Sequence, residues 1–407
     1  MRSNFKKIGS HIRLVDERDR AQNVNTLLGL SIDKTFIPSV ANTIGSDMGN
    51  YKIIRKGQFA CSLMQVRRDK KIPVALLIDL EEAIISQAYP IFEITDPDTL
   101  LPEYLMIWMT RSEFDREACF YAVGGVRGSL EWEDFCNMEL PVPSPEKQLE
   151  IVKEYHTIVD RIKLNERLNQ KLEETAQTLY KQWFVDFEFQ VSAKYAAAIG
   201  KPELEGQPYK SSGGEMVYNE GLKLDIPKGW DVCSLGDMCN ICDSVRQPLS
   251  GEERSIRPGP FPYYGAVSIV DHIDSYLFDG IYLLFSEDGV KVVNEFGYPT
   301  LQYVWDKFWV NNHAHVLQGK GYITTEFLKL SLTEKNVSHL VTGAAQPKIN
   351  QNNMASIPLL RPDDETLNVF ATKVNPIFSH YRSTADITRL LSSLREILLL
   401  RFVAQGR

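Results

Sequence analysis

One stretch of the chain, residues 164–189, most constrains the fold because it reads as a long amphipathic helix with a dense aromatic end. Apolar side chains recur there every three or four residues, which is the spacing that lines one face of a helix. These apolar positions are Leu164, Leu168, Leu172, Ala176, Leu179 and Trp183. No proline or glycine occurs between Glu146 and Gln190. We therefore predict a central helix over 146–190, roughly 60 Å long at about 1.5 Å per residue, which must bury its stripe against a partner helix.

The partner helix is predicted in the same chain, because the helical pattern is repeated 218 positions later. Leu149 corresponds to Leu367, and Phe184 corresponds to Phe402. A similar lead-in precedes each helix: Leu140-Pro141-Val142 before the first, and Ile357-Pro358-Leu359 before the second. A repeat near half the chain length indicates an internal duplication. The chain is expected to run as domain, long helix, domain, long helix.

Changes in composition and pattern divide the chain into five segments. We predict an N-terminal mixed α/β domain (1–145), the central helix (146–190), a glycine- and proline-rich linker (191–220), a second mixed α/β domain (221–362) and a C-terminal long helix (363–407). In the first domain, residues 101–119 are expected to form one helix. In the second, residues 276–285 are expected to form a hairpin with Asp279-Gly280 at its turn.

This organisation, together with the string LEETAQTLYKQWFVDFEF at 172–189, resembles the specificity subunit of type I restriction–modification enzymes. The resemblance covers essentially the whole chain. Further pieces of that kind in the second domain are Tyr263-Tyr264-Gly265-Ala266, Glu287-Asp288-Gly289, residues 308–317 and the segment from Gly343 to Lys348. The resemblance implies an α/β (α+β) fold in which two target-recognition domains are separated by two long antiparallel coiled-coil helices, with an internal pseudo-two-fold duplication.

The resemblance also implies a non-catalytic role in a phage-defence complex. Each domain would read one half of a split target in double-stranded DNA, and because the two domains differ in sequence the target would be asymmetric. The helices would set the spacing between the halves and dock two methyltransferase subunits. Those subunits would bring S-adenosylmethionine, and restriction subunits would bring ATP-driven cleavage with Mg²⁺. No cofactor is therefore expected in this chain.

The formal net charge of −8 argues mildly against DNA binding, because phosphate contact normally leaves a basic footprint. The charge is unevenly distributed, however, with seven basic residues and one acid between Lys52 and Lys71. The rest of the chain can be acidic if basic partner subunits contribute to binding the same DNA. We predict an electrostatic footprint at Arg55, Lys56, Arg67, Arg68, Lys70 and Lys71. The alternative is an ordinary solvated basic face.

Further DNA-binding candidates lie in loops, from which arginine can reach phosphates and amides can reach base edges. They are Arg127 in a glycine loop of the first domain, and Arg246, Arg254, Arg257, Tyr263, Tyr264, His313, Gln346 and Lys348 in the second. Amide-rich loops also suit ordinary turns. Trp183, Phe184 and Phe187 are predicted to contact a partner subunit, with packing around the end of the helix pair as the alternative.

Other chemistries have weaker support. The chain contains no Pro-Pro dipeptide, which an adenine methyltransferase motif requires, and no GxxxxGK(S/T) loop of a motor. The pair Cys239 and Cys242 lacks a second ligand pair, so buried thiols are favoured over zinc. His313 and His315 are expected on one strand face, either as polar residues of a recognition cleft or as a hydrogen-bonded core pair, with metal binding as the alternative.

The remaining expectations concern location and the main rival function. No apolar run approaches the roughly 20 residues that span a bilayer, so a cytoplasmic protein without a membrane partner is expected. The rival to DNA recognition is a protein-interaction scaffold, with two modules on a coiled coil and no DNA binding. The acidic net charge is the feature in its favour.

Overall fold

A computed structural model describes residues 4–20, 23–39, 48–124, 128–289, 291–343 and 345–405. The chain forms two compact units. Unit 1 consists of Met1–Leu164 and Ile387–Arg407, and unit 2 consists of Asn165–Asp386. Both of the longest helices therefore contribute residues to both units, a division that differs from the separate helical segments expected from the sequence.

Unit 1 combines short strands with short helices. Its strands are β1 (Phe5–Lys7), β2 (Ile12–Val15), β3 (Leu27–Leu30), β4 (Phe36–Pro38), β5 (Lys52–Arg55), β6 (Phe59–Cys61), β7 (Val74–Leu76), β8 (Glu82–Ile85), β9 (Ile91–Ile94) and β10 (Glu139–Pro141). Its helices are α1 (Val66–Asp69), α2 (Pro102–Met109), α3 (Ser112–Tyr121), α4 (Trp132–Asn137) and the first part of α5 (Pro145–Phe184). The strands form sheets of order β2-β9-β6-β7 and β4-β3-β8-β5, while β1 pairs antiparallel with β10.

The helix predicted over 101–119 is two helices, α2 and α3, because the chain turns between them. Arg111 has extended backbone angles and precedes α3 as its N-cap residue. The buried ammonium of Lys34 bonds to the carbonyl oxygen of Met109 and lies 2.8 Å from Asp115 Oδ1. Lys34 thus joins the end of one helix to the side of the next, a long-range contact that local periodicity does not reveal.

Unit 2 begins within α5 and has more strands. Its strands are β11 (Met216–Asn219), β12 (Leu224–Pro227), β13 (Asp231–Ser234), β14 (Cys239–Ile241), β15 (Pro258–Tyr264), β16 (Ile269–Ile273), β17 (Phe278–Asp279), β18 (Tyr282–Ser286), β19 (Leu301–Val304), β20 (Lys307–Val310), β21 (Ala314–Gly319) and β22 (Pro358–Arg361). Its helices are α6 (Ala193–Ala198), α7 (Leu235–Met238), α8 (Gly251–Ser255), α9 (Thr325–Thr333), α10 (Gln351–Ala355) and the first part of α11 (Asp364–Gln405). The larger sheets have the orders β14-β21-β18-β19 and β16-β15-β20-β17, while β11 pairs with β12 and β13 with β22.

The hairpin predicted over 276–285 is wrong, because its two strands belong to different sheets. β17 pairs antiparallel with β20, and the ring of Phe278 stacks on Phe308 with centroids 5.1 Å apart. β18 pairs instead with β19 and β21. Gly280, with φ +131°, lies between β17 and β18 where the chain passes from one sheet to the other.

The segment 191–220, expected as a linker, packs into unit 2. Val191, Ala196 and Tyr209 are buried in its core. The Tyr209 ring stacks on Phe189 with centroids 4.6 Å apart, and Phe189 stacks on Trp230 at 4.7 Å. The glycines and prolines of this segment therefore form turns between packed side chains rather than a flexible connection.

The two long helices pair antiparallel, as predicted. In unit 1, Ile151 of α5 and Leu399 of α11 are buried in the same core. In unit 2, the ring of Phe184, at the other end of α5, lies 4.8 Å from Phe370 near the start of α11. The early part of each helix thus meets the late part of the other. Among the described residues, no helix is long and apolar enough to cross a bilayer.

The first long helix ends six residues before the predicted position. Phe187 has φ +62° in the left-handed region, and the Glu188 amide donates to the Gln182 carbonyl at 2.8 Å. This turn closes α5 at Phe184, and it points Phe187 toward Trp230, with ring centroids 6.0 Å apart. The strain of a left-handed phenylalanine is offset by burial, since its side chain is only 5% exposed.

The internal duplication predicted from the repeat is confirmed in the strands that precede each long helix. In unit 1, β10 pairs antiparallel with β1 and is followed by α5. In unit 2, β22 pairs antiparallel with β13 and is followed by α11. The Leu140-Pro141 and Pro358-Leu359 lead-ins are thus equivalent strands that place the start of each helix beside its own unit.

Candidate nucleic-acid interface

A largely buried cluster of ionisable side chains, with Lys348 at its exposed edge, lies at one end of the β14-β21-β18-β19 sheet in unit 2. Its members are Asp243, Arg246, Glu287, His315 and Lys348. The Arg246 guanidinium lies 2.7 Å from Glu287 Oε2 and 3.3 Å from Asp243 Oδ2. The Lys348 ammonium lies 2.9 Å from Glu287 Oε1. Pairing and hydrogen bonding of this kind are what allow charges to be buried.

Four segments that are distant in the sequence supply this cluster. Asp243 follows β14, Glu287 follows β18, His315 lies in β21, and Lys348 ends a loop after a left-handed Gly343. Asp243 also accepts from the backbone amide of Val316 at 2.9 Å. Glu287, His315 and Lys348 each lie in one of the family-like sequence segments of the second domain. The structure shows that they meet at one set of ion pairs.

His315 links two of the segments through both ring nitrogens. Its Nδ1 lies 2.6 Å from Asp243 Oδ2, and its Nε2 lies 2.9 Å from the carbonyl oxygen of Ile349. Because a carbonyl oxygen only accepts, Nε2 carries the proton in that bond. His313 lies before the strand instead, with its Nδ1 2.7 Å from Asp288 Oδ1. The expectation that both histidines share one strand face is therefore wrong.

Asp243, Glu287 and His315 have ligand atoms close enough together to hold a metal ion. Their other contacts argue against this use. Arg246 and Lys348 already neutralise the carboxylates, and Nε2 of His315 donates to a carbonyl. A divalent cation would have to displace these bonds. These residues fit a structural ion cluster. Burial alone would raise the pKa of Glu287, but the hydrogen bonds from Arg246 and Lys348 outweigh that effect, so the pKa of Glu287 is lowered.

The loop from Thr342 to Lys348 presents polar side chains next to this cluster. The strand-like bridge between Thr342 and Lys348 closes the loop. Gly343 has φ +84°, and a Cβ there would lie 2.4 Å from the Gln346 carbonyl oxygen, so only glycine fits. Gln346 and Lys348 are exposed, as is the His313 side chain nearby in the same cluster of segments. Gln346, Lys348 and His313 are thus DNA-binding candidates of unit 2 whose polar side chains face solvent from a backbone that the bridge and the ion cluster hold in place.

The other predicted arginines of unit 2 are engaged within the fold. Arg246 belongs to the buried cluster. Arg254 lies 3.1 Å from Asp271 and over the ring of Tyr263, and Arg257 lies 2.9 Å from Asp274 and over the ring of Trp309. Tyr263 is buried and its hydroxyl accepts from the Leu249 amide. Tyr264 is half-buried, with its ring 5.7 Å from Phe308. These arginine and tyrosine side chains stabilise the β16-β15-β20-β17 sheet and the segments packed on it. They are therefore less available for DNA contact than the sequence predicted.

The predicted basic footprint of unit 1 divides into two parts. Arg55 pairs with Glu17 and Glu82, and Lys56 pairs with Glu81, so that part is net acidic. In the second part Arg68 pairs with Asp69, and Lys71 lies 3.3 Å from Asp33. Arg67 and Lys70 are exposed and make no ion pair with a carboxylate among the described residues. Arg127 lies outside the described residues.

The residues that close one loop of unit 1 have the same arrangement as those that close one loop of unit 2. In unit 1 a bridge joins Val123 to Ser129, and the amide of Leu130 donates to the carbonyl of Leu63. In unit 2 the equivalent bridge joins Thr342 to Lys348, and the amide of Ile349 donates to the carbonyl of Glu287. Left-handed glycines occupy the same loop position, Gly124 in the first and Gly343 in the second. The internal repeat that relates the two long helices thus extends to a pair of loops whose sequences differ.

The aromatic residues predicted to contact a partner are buried instead. Trp183, Phe184 and Phe187 are 3%, 4% and 5% exposed and belong to the core of unit 2. Phe184 packs against the rings of Trp230, Phe327 and Phe370. Of the two alternatives, packing around the end of the helix pair is the one that the structure supports.

An exposed apolar stripe lies on the other long helix. Ile387, Leu390, Leu394, Ile397 and Leu400 of α11 are exposed, with Leu390 the most exposed at 70%. Beside them a groove of about 440 Å³ is lined by Thr157 and Ile158 of α5 and by Leu394 and Ile397 of α11. The sequence repeat did not distinguish Leu390 and Leu394 from their equivalents on α5, Leu172 and Ala176, of which Ala176 is buried in the core of unit 2.

The cysteines carry no sign of a metal or disulfide among the described residues. All six are free. Cys239 is buried and donates to the Leu235 carbonyl at 3.1 Å, and burial raises the pKa of its thiol to about 12. Cys242 is half-buried, and burial together with Asp243 raises the pKa of its thiol as well. Cys239 thus packs as a buried, hydrogen-bonded thiol, which is the structural alternative for this pair.

Comparison with known proteins gives the class of the chain. Residues 227–383 match the type I restriction modification DNA specificity domain family. Over its whole length the chain has the fold of the type I restriction–modification system S subunit from M. genitalium, with a TM-score of 0.57, 13% identity, and coverage of 98% of this chain and 95% of that one.

Curated relatives extend the match along the chain. It is 23% identical over 412 aligned residues to the type I restriction enzyme HindI specificity subunit of Haemophilus influenzae, covering 86% of this chain and 87% of the relative. It is 25% identical to the MjaIX specificity subunit of Methanocaldococcus jannaschii, covering 74% and 67%. A 32% identity to S.HindORF215P of H. influenzae, named as a type I specificity subunit, spans about a third of each chain.

Residues 227–383 thus belong to the type I restriction modification DNA specificity domain family, and the relatives that align with most of the chain are specificity subunits of type I restriction enzymes. The resemblance noted in the sequence is thereby confirmed. Members of this family are the non-catalytic, DNA-recognising part of their enzymes. The scaffold alternative, which has no DNA binding, is therefore not favoured.

Proposed function

We propose that each unit reads one half of a split, asymmetric sequence in double-stranded DNA. The observation that carries the proposal is the duplicated loop pair: residues 123–129 and 342–348 share their bridge and their left-handed glycine but differ in side chains. A framework whose closing residues are kept while its residue types change is suited to reading two different sequences. Specificity of this kind comes from side chains that reach base edges, whereas phosphate contacts fix position.

In unit 2 the proposed reading elements are Gln346, Lys348 and His313. A glutamine amide can bond in two places to the adenine edge, and lysine can bond to guanine. Lys348 is half-exposed, at 46% of its side chain, while its ammonium is paired with Glu287, so it can turn toward DNA or stay on the cluster. The buried ion cluster would hold the loop in one shape so that Gln346 meets the duplex without a large ordering cost.

Catalysis would reside in partner subunits. Methyltransferase subunits would supply S-adenosylmethionine, and the target adenine would be flipped into their pocket rather than into this chain. Restriction subunits would supply ATP and Mg²⁺. A cytoplasmic location follows from this proposal, because the DNA to be read lies there.

A methyltransferase subunit is proposed to cover the exposed stripe on α11. Five large apolar residues at helical spacing form a face that isolated proteins rarely leave in water. The flanking Lys153, Glu154 and Arg401 would form the polar rim that surrounds the apolar centre of an interface. This site replaces the buried Trp183, Phe184 and Phe187 as the proposed partner contact.

The number of base pairs between the two half-sites is proposed to depend on the length of α5 and α11. Because both helices are shared between the units, lengthening them equally should change that number without changing either half-site. One helical turn inserted near Arg161 in α5, with a compensating turn in the facing part of α11, tests this. Unchanged spacing in the inserted protein would contradict the idea.

The function itself is tested by mapping N6-methyladenine in the host genome with and without this gene. We expect methylation at one split, asymmetric sequence to disappear on deletion and to return with the intact gene. Unchanged methylation, while a matching methyltransferase subunit is expressed, would contradict the proposal.

A further inference from the structure

We propose that unit 1 contacts DNA through one compact surface, made by Arg67 and Lys70 around α1 and by the exposed aromatic pair Phe120 and Tyr121 at the end of α3. This surface, the α1–α3 surface, rests on the proposed function and names the DNA contacts of unit 1. The cations would neutralise phosphates, and Phe120 would pack against a base step or the adjoining sugars.

Local charge is the first argument. The α1 region carries Arg67, Arg68, Lys70 and Lys71, with Asp69 and Asp33 as the carboxylates paired there. Two cations are thus left over, and both are exposed. The Arg55 and Lys56 region has the reverse balance, because three carboxylates surround two cations. A phosphate backbone is attracted to the first region and repelled by the second.

The second argument is that the aromatic pair lies on the element packed against α1. The Cys119 thiol donates to the Val66 carbonyl at 3.5 Å, which joins the last turn of α3 to α1. Burial and Asp115 raise the pKa of the Cys119 thiol, whereas the positive charges of Arg67 and Lys70 act to lower it. The next residue, Phe120, is 79% exposed, and its ring centroid lies 5.4 Å from that of Tyr121.

An exposed phenylalanine beside unpaired cations is unusual for a surface that meets only water. Apolar wedges flanked by basic residues occur in proteins that insert into DNA between base steps. Aromatic rings also stack on exposed bases in a way that tolerates any sequence. Charge complementarity is what selects DNA as the occupant here, since a neutral apolar partner would gain nothing from Arg67 and Lys70.

The α1–α3 surface also contacts the loop that is duplicated between the two units. The side chain of Arg67 packs on Gly128, where a Cβ would come within 2.8 Å of its Cδ. The Arg67 amide also donates to the Gly128 carbonyl at 3.3 Å. Gly128 corresponds to Pro347 in the unit 2 loop, whose carbonyl accepts from the Gly289 amide in the same way. The α1–α3 surface thus borders the loop that is equivalent to the proposed reading loop of unit 2.

The test uses the complete complex of this chain with its methyltransferase subunits and a mixed-sequence DNA duplex, with affinity measured across a salt series. The slope of log affinity against log salt is negative. For Arg67→Ala with Lys70→Ala, we expect this slope to become shallower by about 2, because each lost phosphate contact reduces its magnitude by about 0.9. For Phe120→Ala, we expect roughly tenfold weaker binding with the slope unchanged, because the lost contact is apolar.

Matched controls come from the same unit. Arg55→Ala with Lys56→Ala removes two cations from the acidic region and should leave the slope unchanged. Leu14→Ala removes an exposed apolar side chain elsewhere in unit 1 and should leave affinity unchanged. Equal effects in the control and test pairs would overturn the proposal, since general charge would then explain both.

Two further results separate this proposal from the proposed function. If the unaltered complex binds DNA with strong salt dependence but the Arg67, Lys70 and Phe120 variants behave like it, only the α1–α3 surface is overturned. If the unaltered complex shows no salt-dependent binding, the DNA function itself fails. Loss of methyltransferase subunits from the variants would instead show that the surface binds protein, which also overturns the proposal.

Discussion

The guanidinium of Arg246 lies 2.7 Å from the Glu287 carboxylate, and both side chains are almost completely withdrawn from solvent. Arg246 also donates to the carbonyl of Ala314 at 2.8 Å, so it joins β18 and β21 at the end where the proposed reading loop begins. An arginine that the sequence marks as a DNA contact is therefore a structural support for the residues that remain exposed.

Arg246→Ala should destabilise unit 2, because it leaves a buried Glu287 charge without its main partner. Removal of one member of a buried ion pair costs about 3–5 kcal/mol. Lys348→Ala, which removes a half-exposed partner of the same carboxylate, should cost about 1 kcal/mol or less. Chemical denaturation of both variants measures the difference, and equal small losses would show that the Arg246 pair is not a support.

Glu287→Gln should make the stability of unit 2 less dependent on acidic pH. The pKa of Glu287 is lowered in the folded protein, so the folded state releases this proton more readily than the unfolded state. Its contribution to stability is present above the ordinary glutamate pKa of 4.5 and is lost as pH falls through the lower folded-state value.

Denaturation midpoints of the native protein and of Glu287→Gln, measured on both sides of that value, give the comparison. We expect the native protein to lose more stability than the variant as the solution is acidified. Curves that stay parallel through this range would contradict the assignment of Glu287 as an ionised member of the cluster.

Gln346→Ala should relax one position of one half-site while leaving the protein folded. A two-point contact from glutamine to adenine contributes about 1–3 kcal/mol of discrimination. Methylation mapping should show several bases accepted at that position and the other half-site unchanged. Gln207→Ala, an exposed glutamine of unit 2 outside the loop, is the control and should leave the target unaltered. A target unaffected by Gln346→Ala would remove this residue from the reading elements.

Lysines placed in the α11 stripe should release the methyltransferase partner. Leu390→Lys with Leu394→Lys puts charge into the centre of the exposed apolar face without disturbing a buried side chain. Co-purification with the methyltransferase subunit should fall at least tenfold, since burying an unpaired charge at an interface is costly. Glu396→Lys, on the same helix but outside the stripe, is the matched control. Full retention of the subunit by the double variant would contradict the proposed docking face.

Phe184→Ala tests the opposite assignment for the aromatic end of α5. Because Phe184 is buried among Trp230, Phe327 and Phe370, its truncation should cost about 3–5 kcal/mol of stability. Leu390→Ala, at an exposed position, should change stability by about 0.5 kcal/mol or less. A Phe184 variant of native stability that fails only to bind its partner would restore the surface interpretation.

Local sequence was sufficient for the long helices and for the duplication, because both depend on regular spacing along the chain. The repeat from Leu149 to Leu367 predicted two equivalent helices, and the Leu140-Pro141 lead-in marked the strand before the first. Turn chemistry was less reliable. The Asp279-Gly280 pair has the composition of a hairpin turn, yet Phe278 stacks on Phe308 and takes β17 into another sheet.

Only the tertiary structure decided which charged and aromatic side chains are available. Residue type gives Arg55 and Arg67 the same charge, but Glu17, which follows β2, and Glu82 of β8 come to Arg55 from distant parts of the sequence, while no described carboxylate reaches Arg67. Ala176 and Leu394 are equivalent in the sequence repeat, yet Ala176 is buried and Leu394 is 48% exposed, because burial depends on what the rest of the fold places against each helix. Spacing along the chain determines which residues share a face, and long-range packing determines what covers that face.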